Sequence, residues 1–335
     1  MQQGVSKCKY IVGPVERFDQ KNEMFKRPRW QPELRQLGQD VFSPIPPQEQ
    51  KDGYGIRERA LQNAAWYMET GFAEGVRIHN TGLYSWESQS IGLTPIPPEF
   101  KYEVTDPAQM SGTIKKVARF FGADEVGICE LDPRWVYSHY FHMMTREHGP
   151  LEVPSECKYA IAIAVEMDYE MMKTSPAGIA GAATGLGYSR MAFTAALLAE
   201  FIRALGYKAI PSGNDTALSI PIAVDAGLGE LGRNGLLITP RFGPRVRLAK
   251  VLTDMPLVSD PPHRIRRAPL LPGLQQVRPK LPRPGHSTRR PHHRGTQCLQ
   301  QPRGAQVAGG CGEVLCLLGE TASPLRQLHE GLPLQ

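Results

Sequence analysis

Residues 158–166 read KYAIAIAVE and residues 189–205 read SRMAFTAALLAEFIRAL. The first is a near-continuous apolar run of strand length, the kind that is covered on both faces. The second is apolar almost all round at helical period and stops at Gly206, which predicts a buried helix with Ser189 as its N-cap. Working outward, Glu125–Cys129, Tyr207–Pro211 and Arg245–Thr253 read as further strands. Arg57–Thr70 and Ser111–Phe121 read as helices ended by Gly71 and Gly122. Residues 82–100 read as loop, where Tyr84 and Trp86 are considered as pocket aromatics, with surface or core packing the favoured role for each. Strands interspersed with helices predict an α/β chain, layered as an α+β sandwich. The expected organisation is an irregular and helical unit over 1–100, an α/β core over 101–262 and an Arg/Pro-rich tail over 263–335.

The net charge of +6 over 335 residues is unevenly placed. From Pro261 to Gln335 there are 11 Lys and Arg against 3 Asp and Glu, which leaves 28 basic and 30 acidic residues in 1–260. The body is therefore near neutral, and a body built to grip nucleic acid is not expected. No apolar run approaches the roughly 20 residues of a transmembrane segment. The opening MQQGVSKCKYIVGP shows neither a signal-peptide pattern nor a twin-arginine leader. None of the six cysteines forms a C-x-x-C pair, so neither a disulfide framework nor a metal knuckle is written here, and no residue is assigned as a metal ligand. Cys129, in VGICELD, reads as a buried strand residue.

The stretch 225–240, DAGLGELGRNGLLITP, carries Gly227-x-Gly229-x-x-Gly232 after the apolar SIPIAV, with Asp254 further on. A dinucleotide site needs a helix directly after that fingerprint. Gly235, Pro240, Gly243 and Pro244 interrupt every such helix, so a nicotinamide enzyme is a poor reading. The glycines serve either a tight turn or the close approach of a large flat ligand. Tyr188 precedes Ser189 in TGLGYSRM. At a helix N-terminus its phenolate would be favoured by the macrodipole, and a nearby Arg would make it a proton donor; a packed tyrosine with a satisfied hydroxyl is the alternative. Arg245 and Arg247 alternate with Val246 and Leu248, without showing which side faces a pocket. Asn214, in PSGNDTA, falls in a turn.

Residues 187–257, GYSRMAFTAALLAEFIRALGYKAIPSGNDTALSIPIAVDAGLGELGRNGLLITPRFGPRVRLAKVLTDMPL, resemble the core of respiratory reductive dehalogenases of the tetrachloroethene type. The resemblance is looser over 100–183 and faint before that. It implies a nitroreductase-like core holding a corrinoid, two [4Fe–4S] clusters in a C-terminal ferredoxin-like segment, and reductive cleavage of a carbon–halogen bond in a small organohalide. By position, Tyr188 matches the proton-donating tyrosine and Arg247 the arginine that supports it. Thr184 and Asn214 match substrate-pocket positions. Gly213, Asn214, Gly227, Gly229, Gly232, Asn234 and Gly235 fall in the corrinoid-contacting stretch. The same resemblance implies a membrane electron-donor chain as partner and an exported, membrane-associated location. Without a leader, this chain looks like a fragment beginning inside the mature region. An epoxyqueuosine reductase-like enzyme shares the DAGLG pattern, but its tRNA substrate would call for a basic body. A corrinoid-fold remnant without catalysis is the third reading.

The tail departs from the family. After DMPLVSDPP the family continues into cysteines spaced C-x2-C-x2-C-x3-C-P, whereas residues 269–282 here read PLLPGLQQVRPKLP. Cysteine codons arise in a one-base-shifted reading wherever a codon ending in TG precedes one starting with C or T. Such junctions occur at Leu271/Pro272, Leu274/Gln275, Val277/Arg278 and Leu281/Pro282, which is the missing spacing. A second set lies at Val314/Leu315, Leu325/Arg326, Leu328/His329 and Leu332/Pro333. The expectation is a single inserted base near Pro262, with disordered, out-of-frame text from about His263 and no cluster ligands in the chain as written. A basic nucleic-acid arm is disfavoured, since residues 263–335 contain no aromatic for stacking and no acid before Glu313.

Overall fold

The computed structural model describes residues 14–36, 53–73 and 81–262, apart from 91, 95 and 98. The helices in chain order are α1 (Ile56–Phe72), α2 (Pro107–Phe120), the short α3 (Tyr169–Lys173), α4 (Gly178–Ala204) and α5 (Ser219–Asp225). The strands are β1 (Glu125–Glu130), β2 (His139–Phe141), β3 (His148–Pro150), β4 (Tyr159–Glu166), β5 (Ala209–Ser212), β6 (Glu230–Leu231), β7 (Leu237–Ile238) and β8 (Val246–Thr253). A central sheet runs β1-β4-β8-β5, with two small hairpins, β2-β3 and β6-β7, beside it. Every neighbouring pair in the central sheet is antiparallel. The mixed helix and sheet architecture is therefore of the α+β kind.

The apolar run of β4 hides an alternation by size. Ile161, Ile163 and Val165 join the core under α2 and α4, with Ile114, Met191, Leu198 and Ile202. Ala160, Ala162 and Ala164 face the other way, toward Trp135, Ile222 and Leu252. Alanines on that face let α5 and the Trp135 ring approach the sheet closely, while the branched residues fill the space beneath two longer helices. Cys129 is buried in β1 as expected.

Besides shifts of one or two residues at element ends, such as α1 running through Gly71 to Phe72 and β5 starting at Ala209 rather than Tyr207, three readings differ from the sequence analysis. Helix α2 starts before Ser111, because Asp106 caps it through Ala108 N and Gln109 N and Pro107 takes the first helical position. The apolar SIPIAV lies in helix α5, so the strand–turn–helix setting of a dinucleotide site is absent. The third correction is larger: Ser189 is not an N-cap. Helix α4 begins at Gly178, and both Tyr188 and Ser189 sit in its interior.

The helix-terminus argument for Tyr188 therefore falls, and the reason lies in the glycines. A Cβ on Gly185 would stand 2.2 Å from Trp66 Cδ1, and one on Gly187 would stand 2.9 Å from Arg247 Cγ. These glycines are not breakers. They are the places where α1 and β8 press against α4, and tertiary burial outweighs the roughly 1 kcal/mol each costs in a helix. Ser189 donates to Ala65 O at 2.6 Å, tying α4 to α1. No described helix is long and apolar enough to cross a membrane.

Candidate active site

Tyr188 is half-buried on the face of α4 that meets α1 and β8. Its ring stacks on Trp66 of α1, with centroids 4.8 Å apart and planes 25° apart. The guanidinium of Arg247 lies over the same ring, 4.8 Å from its centroid. Asn214 Nδ2 donates to the phenolic oxygen at 2.9 Å. The guanidinium Nε of Arg247 is buried with no hydrogen-bond partner among the described residues. A buried unpartnered donor is costly and marks a place where something else accepts. The ambiguity between Arg245, just before β8, and Arg247 within it is resolved: Arg245 binds Glu166 Oε1 at 2.8 Å and Met167 O at 2.7 Å, so Arg247 is the one left at Tyr188.

Thr184 lies one turn before Tyr188 on the same side of α4. Its hydroxyl faces two thioethers, Met167 Sδ at 3.8 Å and Met172 Sδ at 3.9 Å. Four sequence candidates, Tyr188, Arg247, Asn214 and Thr184, are thus gathered at one place.

The loop that presents Asn214 is held from beneath by charge. Lys250, fully buried on β8, donates to Gly213 O and, at 3.1 Å, to Ser219 Oγ. Burial pushes its amine down to about 8, opposed by the carboxylates of Asp215 and Glu23. Asp215 Oδ1 accepts from Gly213 N at 2.7 Å, and Tyr137 Oη reaches Asn214 O at 3.4 Å while donating to Glu23. Burial holds Glu23 above the usual carboxylate range and Lys26 below the usual amine range. Thr216 closes the loop at φ 63°, an uncommon value for a β-branched residue and a sign that the surroundings impose this shape.

A second support comes from α1. Glu69 accepts from Tyr84 Oη at 3.2 Å, and a Cβ on Gly213 would stand 2.6 Å from that same hydroxyl. Burial raises the Glu69 carboxyl to about 8, the Tyr84 hydrogen bond pulling it down and the Asp215 charge adding to the rise. Tyr84 is 2% exposed and belongs to the core, which is the packing role favoured for it.

The remaining candidates divide. A Cβ on Gly229 would stand 2.2 Å from Ile238 O, and Gly227, at φ 76°, faces Pro261 O at 2.4 Å. Gly232 is buried against Asn234 and Ile238. These three fit the chain's own backbone, so they carry the tight-turn reading. Asn234 is exposed, with its Oδ1 accepting from Leu236 N at 3.2 Å, and Gly235, at φ 78°, faces open space. Sequence reasoning passed over Lys250, Glu69, Trp66 and Asp215. Trp66 and Glu69 at i and i+3 of one helix, and a lysine inside the apolar RVRLAKVLT, were the available signals.

Fold and site together define an α+β domain that brings a phenolic hydroxyl, a cation and an amide donor to one half-buried place beside an antiparallel sheet. Residues 137–257 match the family model of the reductive dehalogenase subunit. The chain is similar to the tetrachloroethene reductive dehalogenase of Dehalobacter restrictus, 40% identical over 218 residues, which is 55% of this chain and 39% of that protein. The chain thus spans about two fifths of that relative's length. An epoxyqueuosine reductase of Pseudomonas aeruginosa is 29% identical over 199 residues, 50% of this chain and 54% of that protein. Among solved structures, a catabolic reductive dehalogenase, NpRdhA, in complex with 3-bromo-4-hydroxybenzoic acid shares the fold at TM-score 0.57 and 22% identity, over 82% of this chain and 36% of that one. A reductive dehalogenase described as performing B12-dependent dehalogenation shares it at TM-score 0.54 and 22% identity, over 75% of this chain and 32% of that one.

Proposed function

We propose that this protein takes part in the reductive cleavage of a carbon–halogen bond in a small organohalide, with a corrinoid as the electron-delivering group. The single observation that carries the reading is the convergence on Tyr188, whose oxygen accepts from Asn214 and whose ring lies under Arg247. A corrinoid, when bound, supplies two electrons through its reduced cobalt. The net change consumes those electrons and one proton, releases halide, and leaves a C–H bond where the C–X bond was. Tyr188 Oη–H gives the proton. Asn214 Nδ2–H and the Arg247 guanidinium are placed to hold the negative charge left on that oxygen. The hydroxyl of Thr184 and the thioethers of Met167 and Met172 form a polarizable wall on the substrate side.

The residues fit a corrinoid unequally. Asn214, Asn234 and Gly235 are open enough to hold it, and the unpartnered Nε of Arg247 is a donor awaiting an acceptor, whereas Gly213 is buried with its N–H and C=O engaged by Asp215 and Lys250 and serves by presenting Asn214. Gly227, Gly229 and Gly232 contribute by shaping the backbone that carries the Asn234–Gly235 turn. On this reading the nitroreductase-like core corresponds to 101–262, packed against the helical unit that precedes it. Two [4Fe–4S] clusters, a membrane electron-donor chain and an exported location belong to the same proposal. Every candidate cluster ligand falls in 263–335, outside the described residues, and would be supplied by the shifted reading of the gene. Sequencing fresh template across the Asp260–His263 codons tests that part: a vanished base with both cysteine sets in frame supports it, and shifted text without cysteine codons ends it.

The catalytic part is tested by Tyr188→Phe in the full chain supplied with a corrinoid and a low-potential chemical reductant. Halide release should fall roughly 10²- to 10⁴-fold at unchanged folding. Equal rates in both proteins would remove Tyr188 from the chemistry. The epoxyqueuosine reading is disfavoured by the near-neutral 1–260 segment, since a tRNA substrate needs basic surface.

A further inference from the structure

Away from the Tyr188 site, three residues distant in sequence meet at the β2-β3 hairpin. Asp19 lies in the N-terminal segment and pairs with His139 of β2 through an isolated bridge. His148 opens β3, whose register places it opposite Phe141, two residues along β2 from His139. The two imidazoles stack, with centroids 5.0 Å apart and planes 29° apart. His148 Nε2 stands 3.0 and 3.1 Å from the two carboxylate oxygens of Asp19. One ligand atom from each of the three residues falls within 4.8 Å of the others.

We propose that Asp19, His139 and His148 bind a divalent first-row transition metal of the zinc, cobalt or nickel kind. Imidazole nitrogen and carboxylate oxygen are the donors these ions accept at about 2.0–2.2 Å. Three atoms within this span need to close by little more than an ångström to surround one ion. The outer contacts are also suitable. His139 Nδ1 is engaged by Ser138 Oγ at 3.1 Å, which leaves Nε2 as the donor atom and fixes the ring. Asp19 Oδ1 accepts from Lys21 N at 3.0 Å, which fixes the carboxylate. One carboxylate and two neutral imidazoles leave a net single positive charge and open positions on the solvent side, where His148 is exposed. Lys21 Nζ, 3.6 Å from Asp19 Oδ2, is the competing cation. It is a surface lysine whose long stem can turn to water.

A plain Asp19–His148 ion pair would account for the two short contacts. It does not account for His139 stacked beside them with one nitrogen already engaged. No short spacing motif announces the site, since its ligands come from residues 19, 139 and 148. A bound ion would pin the segment containing Gln20, Glu23 and Lys26 to the hairpin, and that segment reaches under the Asn214 loop.

The test uses the untagged full chain, stripped with chelator and titrated with Zn2+ by calorimetry and with Co2+ by visible absorption. Histidines and cysteines in 263–335 offer other places for metal, so the readout is a difference between proteins. Wild type should bind one ion more than H148Q, H139A or D19N, or bind it roughly 10- to 100-fold more tightly. Paramagnetic broadening of the His139 and His148 ring signals by Co2+ in the wild type reads the site directly, should a variant fail to fold. Equal binding by wild type and folded variants, or ring signals untouched by Co2+, overturns the proposal.

Discussion

Two glycine-bearing turns, 211–216 and 225–235, are held in opposite ways. The first, PSGNDT, is shaped by charge: a buried lysine, a carboxylate and a buried phenol aim hydrogen bonds at its backbone, and it presents Asn214 to Tyr188. The second, DAGLGELGRNG, is shaped by volume, with Gly227 and Gly229 lying where a Cβ would strike Pro261 O and Ile238 O. The second has the more conspicuous sequence motif, yet the first carries the convergent polar groups. Turn glycines report where backbones touch, and a site has to be found from directed polar contacts.

The contrast can be broken by mutation, beginning with the largest effect. Lys250→Met strips the buried counter-charge from Asp215 and Glu23, so urea unfolding should show a loss of roughly 3–5 kcal/mol. A loss under 1 kcal/mol would mean that charge does not hold the first turn. Gly229→Ala should cost roughly 1–3 kcal/mol by overpacking, because its Cβ would meet backbone rather than a yielding side chain. Glu69→Gln probes the support under Gly213 through pH. The native carboxyl keeps its proton up to about 8, against an ordinary value of 4.5, whereas the unfolded chain releases it earlier. Stability therefore declines as pH rises across that window, and the Glu69 share is fully lost above it. The glutamine variant should lack this decline, so its urea midpoint should gain on wild type between pH 5 and pH 8; parallel curves would contradict the assignment. Gly235→Ala, at positive φ but in open space, should cost only about 1 kcal/mol, and Gly235→Asn less. Asn214→Ala should sit at the bottom for stability, within about 0.5 kcal/mol, since the side chain is exposed. Its effect belongs to halide release, which should still fall roughly tenfold or more.

Much of the fold could be read from the chain because burial writes itself as period. KYAIAIAVE and RVRLAKVLT were legible as strands, and 57–70 as a helix. The start of α4 was not, since GIAGAATGLG has the composition of a loop and becomes helix only because Trp66 and Arg247 fill the space its missing side chains leave. The short helix at SIPIAV was hidden by β-branched residues. At the site, Tyr188, Arg247, Thr184 and Asn214 were placed by resemblance, and the contacts among them emerged only in three dimensions. Lys250 and Glu69 left only a faint pattern for a physical reason: whether a charge is buried depends on what folds over it, and what covers them is not local in sequence.

The order of the central sheet carries a consequence for how the protein is made. Strand β8 lies between β4 and β5, yet it leaves the ribosome after both. Until it arrives, the edge of β4 that it will cover is open and β5 has no partner in this sheet. Roughly 80 residues separate β4 from β8, which at about 5–20 residues per second is a wait of roughly 4–16 s. Open strand edges invite the wrong partner, so the hazard in producing this chain is concentrated in that interval, and a nascent-chain chaperone would matter most there.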